Sequence, residues 1–202
     1  MKKIMFNDKY GLTAAVLEGR KTMTRRLVPP RFYENILPGV FDEEITSKSC
    51  YKVGEVVAVA QAYKNIAENA YFSSRGMKYE KGWDNKMYVA AYHMPHHIRI
   101  TGIKVERLQD ISDEDCLREG IDEDSAEGSL LYWWSVPHEG ISWEEYKKRS
   151  YELSRHDYKG KPGSYYWETP QEAFARLIDK VSGKGTWDSN PLVFAYSFDL
   201  ID

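Results

Sequence analysis

The sequence predicts one α+β domain in which short strands alternate with short helices. Apolar and polar residues alternate over residues 98–108 and 192–201, and this period of two is typical of half-buried strands. Ser112 and Thr169 each precede an acidic residue by three positions, which is the capping-box pattern of a helix start. At 202 residues, the chain can form one domain with a complete core, or a smaller core with large insertions.

The first part of the chain predicts a strand, a helix and a second strand. Residues 3–6 form the first short strand, and Asn7 or Asp8 can cap the helix that follows. Gly19 is well placed just after that helix. Residues 22–28 alternate towards a strand, which the following Pro-Pro pair ends.

The middle of the chain predicts three strands and two insertions. Residues 53–63 are rich in valine and predict a strong strand, residues 88–92 predict another, and residues 98–108 predict a central antiparallel strand. Residues 64–87 have little periodicity and are interpreted as a loop-rich insertion. Residues 122–168 form the second insertion, and we expect most of its ten aromatic side chains to pack as a satellite core rather than stack on bases.

The last part predicts a helix and a closing strand. Pro170 follows the cap residue Thr169, which is the favoured place for proline in a helix. An apolar stripe at helical spacing predicts a core-facing side, and it consists of Phe174, Leu177, Ile178 and Val181. The final strand, over residues 192–201, carries large apolar residues on one face.

Composition limits the class of protein. With 42% hydrophobic and 29% charged residues the chain is an ordinary soluble globular protein. No apolar run could span a bilayer and the N-terminus lacks a signal-peptide pattern, so we expect a cytoplasmic protein without membrane contact. Its two cysteines, Cys50 and Cys116, are too few for a disulfide framework. Because the net charge is -3, contact with nucleic acid would require a local basic patch.

Residues 19–26, here called the basic segment, supply such a patch. They read GRKTMTRR and place four cations and two hydroxyls within eight residues. The segment could be a solvated strand edge, or it could contact a phosphate backbone through its charges. A third interpretation is catalytic, because Lys21 lies three residues from Thr24 and an amine can activate a hydroxyl nucleophile.

Two further features of the sequence are candidate sites. Glu119 ends the helix that starts at Ser112, where the helix dipole disfavours a negative charge, so either another group favours it or it is solvated. His93, His96 and His97 are residues that bind metals, but the intervening proline and the lack of a nearby carboxylate favour a loop that enters a strand. We therefore expect neither a metal nor another cofactor.

Several motifs together resemble the ASCH domain family, a branch of the PUA-like fold, and more closely its phage-associated members. They occur in the order of the family, leave the two insertions unmatched, and comprise residues 4–7, 17–26, 53–59, 93–95, 105–112 and 187–191. The resemblance implies a PUA-like mixed or antiparallel β-barrel with peripheral helices. It also implies a ligand, which would be RNA or a modified nucleoside.

The resemblance also assigns roles to residues. One group in the family removes the acetyl group from N4-acetylcytidine with a Lys, a Thr and a Glu, and these correspond by motif position to Lys21, Thr24 and Glu119. The phage-associated members carry a Glu where this chain has Gln61, so that position departs from the pattern. The neighbouring residues expected to contact the ligand are Arg20, Thr22, Arg25 and Arg26, together with Gln61.

The sequence leaves the reaction open. We favour binding of RNA or a nucleoside in a basic cleft, with N4-acylcytidine hydrolysis as the alternative, and a ribonuclease or a phage accessory protein that binds another protein as further alternatives. Hydrolysis requires Lys21 and Thr24 to converge, yet on a regular strand they would face opposite sides. A turn or bulge between Arg20 and Met23 is therefore a condition of that mechanism.

Overall fold

The computed structural model describes residues 1–33, 42–66, 85–126, 129–134 and 167–202. Within these ranges a mixed five-stranded sheet packs against short helices, and the predicted α+β class is confirmed. The two expected insertions fall largely outside the described ranges. The packing of most of their aromatic side chains therefore stays a prediction, although Trp167 packs against the core.

The sheet combines one parallel pair with three antiparallel pairs. Its order is β1-β3-β4-β7-β2, in which β1 runs parallel to β3 and every other neighbour is antiparallel. A separate hairpin is formed by β5 and β6. The strands are β1 (Lys3–Ile4), β2 (Met23–Leu27), β3 (Val56–Val59), β4 (His97–Arg107), β5 (Ile121–Ala126), β6 (Ser129–Trp134) and β7 (Leu192–Leu200).

The sheet is open between β1 and β2. These strands are the two ends of the hydrogen-bonded order, and no ladder between described residues joins them into the expected closed barrel. A side chain spans the opening instead, because the Arg26 guanidinium donates a hydrogen bond to the carbonyl oxygen of Met5. We call this opening the seam.

Short helices pack around the sheet. Two of them begin at the predicted caps, Ser112 and Thr169. The Ser112 hydroxyl accepts a hydrogen bond from the N–H of Asp115 at 3.2 Å, and the Thr169 hydroxyl accepts one from the N–H of Glu172 at 3.1 Å. The helices are α1 (Leu12–Leu17), α2 (Asp42–Ser47), α3 (Tyr63–Ile66), α4 (Asp113–Arg118), α5 (Pro170–Ser182) and α6 (Thr186–Ser189).

The core lies against one face of the sheet. Val57 pairs with Ile98, and Ile100 with Phe198, and all four side chains are buried. The predicted stripe of α5 faces the same core, where Phe174 meets the Trp187 ring edge-on at 6.1 Å between centroids. Burial of these apolar side chains is the main force that holds α5 on the sheet.

Residues 88–92 are not the predicted strand. They fall between and within the two 3₁₀ turns Lys86–Tyr88 and Ala91–His93. The ammonium of Lys3 contacts the carbonyl oxygen of Val89, within the predicted strand, and those of Lys86 and Met87 just before it. The exposed rings of Tyr88 and Tyr92 also lack the alternating burial of a strand.

The three histidines lie at the start of β4 and in the turn before it. His97 opens β4 and its ring contacts the Asp202 carboxylate at 2.5 Å, while the ring of His93 packs beside Tyr92. Within the described ranges, no three His, Cys, Asp or Glu side chains are grouped so that they could hold a metal ion. The same part of the chain contains no helix long and apolar enough to cross a bilayer.

Candidate ligand site

A cavity of about 400 Å³ opens at the seam, and Lys21, Thr24 and Glu119 all line it. We call it the Lys21 cavity. Its other walls come from the residues that follow β1, from β2 and from the apolar stripe of α5. A volume of this size is within the range of about 300–1,000 Å³ that is typical of small-molecule sites.

The backbone before β2 allows Lys21 and Thr24 to share this cavity. The N–H of Lys21 donates to the Ala15 carbonyl, and the N–H of Thr22 donates to the Arg118 carbonyl, each at 2.9 Å. The ladder of β2 begins only at Met23. Lys21 therefore lies outside the strand. Its side chain need not follow the alternation between the two faces of the sheet that would have pointed it away from Thr24.

Glu119 is held at the end of α4 by two cations. Its Oε2 lies 2.5 Å from the Lys21 Nζ, and its Oε1 lies 3.2 Å from the Arg25 Nη1. Lys21 Nζ also donates to the backbone carbonyl of Glu119 at 2.6 Å. These contacts explain why an acid is tolerated where the helix dipole disfavours it.

Arg25 extends this ion pair into a buried network. Its Nη2 lies 2.6 Å from Glu106 Oε1 and 2.8 Å from Asp115 Oδ2, and its side chain is fully buried. Lys104 approaches the same two carboxylates at 2.8 and 3.3 Å. In this way β2, β4 and α4 are tied together on the face of the sheet that Arg25 occupies.

Burial changes the chemistry of Lys21. Removal of its ammonium from water lowers the pKa, the charge and hydrogen bond of Glu119 raise it in part, and the charges of Arg26 and Arg25 lower it further. The net pKa lies below its ordinary value of 10.5. The amine therefore releases its proton more readily than a solvated lysine does.

Thr24 supplies an unengaged hydroxyl. Its side chain is 5% exposed, it lines the cavity, and it makes no hydrogen bond to any described residue. Thr22 differs, because its hydroxyl accepts a hydrogen bond from the Arg118 Nε at 3.3 Å and it does not line the cavity. Thr24 is thus the hydroxyl of the basic segment that is available to a ligand.

The other predicted contact residues divide into two groups. Arg25 and Arg26 line the Lys21 cavity, and the Arg26 guanidinium lies 5.7 Å from the centre of the Phe6 ring. Arg20 instead pairs with acids outside the cavity, at Glu18 and Asp122. Like Thr22, it is not among the described residues that line the cavity, so the structure brings only part of the basic segment to this site.

Gln61 is buried away from the cavity lining. Its N–H contacts the Met94 sulfur at 3.2 Å, and its side-chain Oε1 has no hydrogen-bond partner among the described residues. It does not line the Lys21 cavity, so the expectation that Gln61 contacts a ligand there is not met by its position.

Sequence reasoning missed two kinds of site residue. The carboxylates of Glu106 and Asp115 hold Arg25, although the Asp115 position was explained by the helix cap alone. Phe6 and Phe174 were assigned to a strand and to the core, yet both also line the cavity. The aromatic signal was present, but nothing in the spacing showed that these two segments meet.

Removal of Glu119 should destabilise the fold more than removal of Lys21. Glu119→Gln leaves two buried cations without their shared carboxylate, and breaking such a pair costs about 3–5 kcal/mol. Lys21→Met should cost less, because Glu119 keeps Arg25 as its partner. The free energy of unfolding in urea at neutral pH measures both.

Glu44→Gln is the control for this comparison. Its carboxylate pairs with Lys48 at 2.9 Å but is 58% exposed, so its loss should cost less than about 1 kcal/mol. A larger loss for Lys21→Met than for Glu119→Gln would contradict the shared-carboxylate interpretation.

Asp115 should make the protein sensitive to acid. Burial raises the pKa of its carboxyl, but the hydrogen bonds and charges of Arg25 and Lys104 outweigh burial and hold the pKa below its ordinary value of 3.8. The stabilisation is therefore complete above that value and is lost as the pH falls through the lowered pKa.

The test compares Asp115→Asn with wild type in urea unfolding between pH 7 and pH 2. The variant should be less stable at pH 7 and should lose less further stability at low pH. Asp113→Asn, an exposed acid in the same helical turn, should retain the wild-type dependence on pH. Equal acid sensitivity of Asp115→Asn and wild type would show that Asp115 does not contribute it.

Comparison with known proteins gives two structural matches. No family model and no curated protein matches the sequence. The chain is similar to the crystal structure of an ASCH domain from Lactobacillus crispatus JV V101, at 14% identity and a TM-score of 0.35, covering 96% of this chain and 75% of that one. It is also similar to a DUF984 protein from Enterococcus faecalis V583, at 12% identity and a TM-score of 0.38, covering 100% of this chain and 77% of that one.

Proposed function

We propose that the protein binds RNA and holds one nucleoside unit, ordinary or modified, in the Lys21 cavity. The observation that carries this proposal is the composition of the cavity wall. It combines the unengaged hydroxyl of Thr24 and the ion pair of Lys21 and Glu119 with the apolar stripe of α5. In such a cavity the apolar side chains can contact the faces of a small planar ligand, while the polar groups fix its orientation.

The polar groups of the wall suit a base edge and a phosphate. Glu119 can accept a hydrogen bond and Lys21 can donate one, while the Thr24 hydroxyl can do either. Arg26 is half-buried at the same cavity and, within the described residues, makes no ion pair. Its guanidinium is suited to bind a phosphate oxygen, since this planar group donates several hydrogen bonds.

Hydrolysis of an N4-acylated cytidine is the second candidate, and one observation favours it. Lys21, with its lowered pKa, and the free Thr24 hydroxyl line the same cavity. Neutral Lys21 would accept the Thr24 proton while Oγ1 attacks the acyl carbon. The cytosine amine would then leave with the proton returned by Lys21, and water would hydrolyse the acyl ester and regenerate Thr24.

The hydrogen bonds of the structure favour binding over this reaction. Lys21 Nζ donates to two oxygens of Glu119, and the structure gives it no hydrogen bond to the Thr24 hydroxyl. The reaction would require Lys21 to rotate away from Glu119. Binding requires no rearrangement of this kind.

The two candidates can be tested with one set of variants. Wild-type protein, Thr24→Val and Thr22→Val are titrated calorimetrically with cytidine, N4-acetylcytidine and a short single-stranded RNA, and the mixtures are then analysed for free cytidine and cleaved RNA. Thr24→Val should weaken binding about fivefold, as expected for one lost hydrogen bond of about 1 kcal/mol. Thr22→Val should leave it unchanged, since Thr22 lies outside the cavity.

The outcomes separate the alternatives. Binding without any reaction product supports the binding function. Release of cytidine from N4-acetylcytidine by wild type, but not by Thr24→Val or Lys21→Met, supports the hydrolase. Cleaved RNA would indicate a ribonuclease. Absence of binding to all three ligands would contradict the proposal and leave a protein-binding role.

A further inference from the structure

A second cavity adjoins the Lys21 cavity at the seam. It measures about 460 Å³, and four of its lining residues are cations, namely Lys3, Arg26, Arg31 and Lys48. None of the described residues that line it is an aspartate or a glutamate. In a chain with net charge -3, this is a local concentration of positive charge. We call it the basic cavity.

Most of this charge is not neutralised by the protein. Lys3 contacts only backbone carbonyls, Arg26 contacts the Met5 carbonyl, and Arg31 lies 5.2 Å from the centre of the Phe32 ring. Within the described ranges these three side chains make no ion pair. Lys48 pairs with Glu44, but that contact is solvent-exposed and weakly held. The positive charge of the basic cavity is therefore suited to bind an anion.

Aromatic rings form much of the remaining wall. Phe32 and Tyr51 are half-buried at the cavity, and Tyr51 is braced edge-on against Tyr196 at 5.3 Å between ring centroids. Rings of this kind provide faces on which a base can stack in single-strand binding proteins. Cations alone would suit any anion, but cations together with aromatic rings suit a nucleotide.

The two cavities share part of their walls. Met5, Arg26 and Leu27 line both of them. Arg26 thus stands between the cavities, with its guanidinium bound to Met5 and placed over Phe6. A chain that occupied both cavities would pass directly over this guanidinium.

From this arrangement we infer that the basic cavity receives the nucleotide next to the one held in the Lys21 cavity, so that the ligand is a single strand of RNA and not a free nucleoside. The phosphodiester between the two nucleotides lies at Arg26, and Arg31 contacts the next phosphate. This inference rests on the proposed function, because it extends a strand from the nucleoside held beside Lys21.

The experiment compares cytidine with the tetranucleotide CCCC as ligands of the full chain. Wild type, Arg31→Gln and the control Arg99→Gln are titrated over a range of salt concentrations. Arg99 is an exposed arginine on β4 that lines neither cavity. The tetranucleotide should bind wild type at least about tenfold more tightly than cytidine, owing to its phosphate contacts.

Arg31→Gln should weaken tetranucleotide binding and reduce the slope of log K against log salt by about 0.7, the value for one phosphate contact in a single strand. Arg99→Gln should bind like wild type. A tetranucleotide that binds no better than cytidine, or an equal effect of the two arginine variants, would overturn the inference and leave the nucleoside site intact. A glutamate-rich tetrapeptide that binds as tightly as the RNA would also overturn it.

Thr24→Val separates this inference from the proposed function. If Thr24→Val weakens the binding of both cytidine and the tetranucleotide, and Arg31→Gln weakens the binding of the tetranucleotide, the proposed function and this inference are both supported. If the tetranucleotide binds through Arg31 but is unaffected by Thr24→Val, the basic cavity binds RNA and the nucleoside site beside Lys21 is wrong.

Discussion

The carboxylate of Glu119 lies between two buried cations, 2.5 Å from the Lys21 Nζ and 3.2 Å from the Arg25 Nη1. Each of these charges would be costly to bury alone; the carboxylate stabilises both cations and is stabilised by them. The interaction joins the end of α4 to the turn before β2 and to β2 itself. The position of the Lys21 cavity follows from it, because all three groups also line the cavity wall.

The network around Arg25 explains why this arrangement is specific. Four cations and three carboxylates belong to it, since Arg118 also pairs with Asp115; its members are Lys21, Arg25, Lys104, Arg118, Glu106, Asp115 and Glu119. A buried ion cluster contributes less to stability than an apolar core of the same volume would. It does fix the orientation of α4 on the sheet, because any other orientation would leave charges unpaired.

The sequence predicted those parts of the fold that depend on local patterns. The caps at Ser112 and Thr169, the stripe on α5 and the long strands β4 and β7 follow from spacing alone. Residues 88–92 lie in and between two turns and do not form the predicted strand, and the Lys3 ammonium, distant in sequence, binds the Val89 carbonyl. Closure of the barrel could not be judged either, since it depends on how two remote edges approach.

The sequence also predicts part of the candidate site. Lys21, Thr24 and Glu119 line one cavity, and the motif resemblance assigns the same three residues to one site. The roles of Arg20 and Thr22 were assigned by proximity in sequence, yet both side chains leave the cavity for partners on other elements. Partners distant in sequence decide these directions, namely Asp122 on β5 for Arg20 and Arg118 on α4 for Thr22, and such contacts are not visible in the spacing of one segment.

The seam has a consequence for the speed of ligand entry. A single guanidinium–carbonyl contact spans it where a closed barrel would have a ladder of backbone hydrogen bonds. Breaking one charged hydrogen bond costs about 1.5–3 kcal/mol, and a side-chain rotation takes nanoseconds or less. Entry of a ligand along the seam therefore requires the rotation of the Arg26 side chain and not the unfolding of a strand.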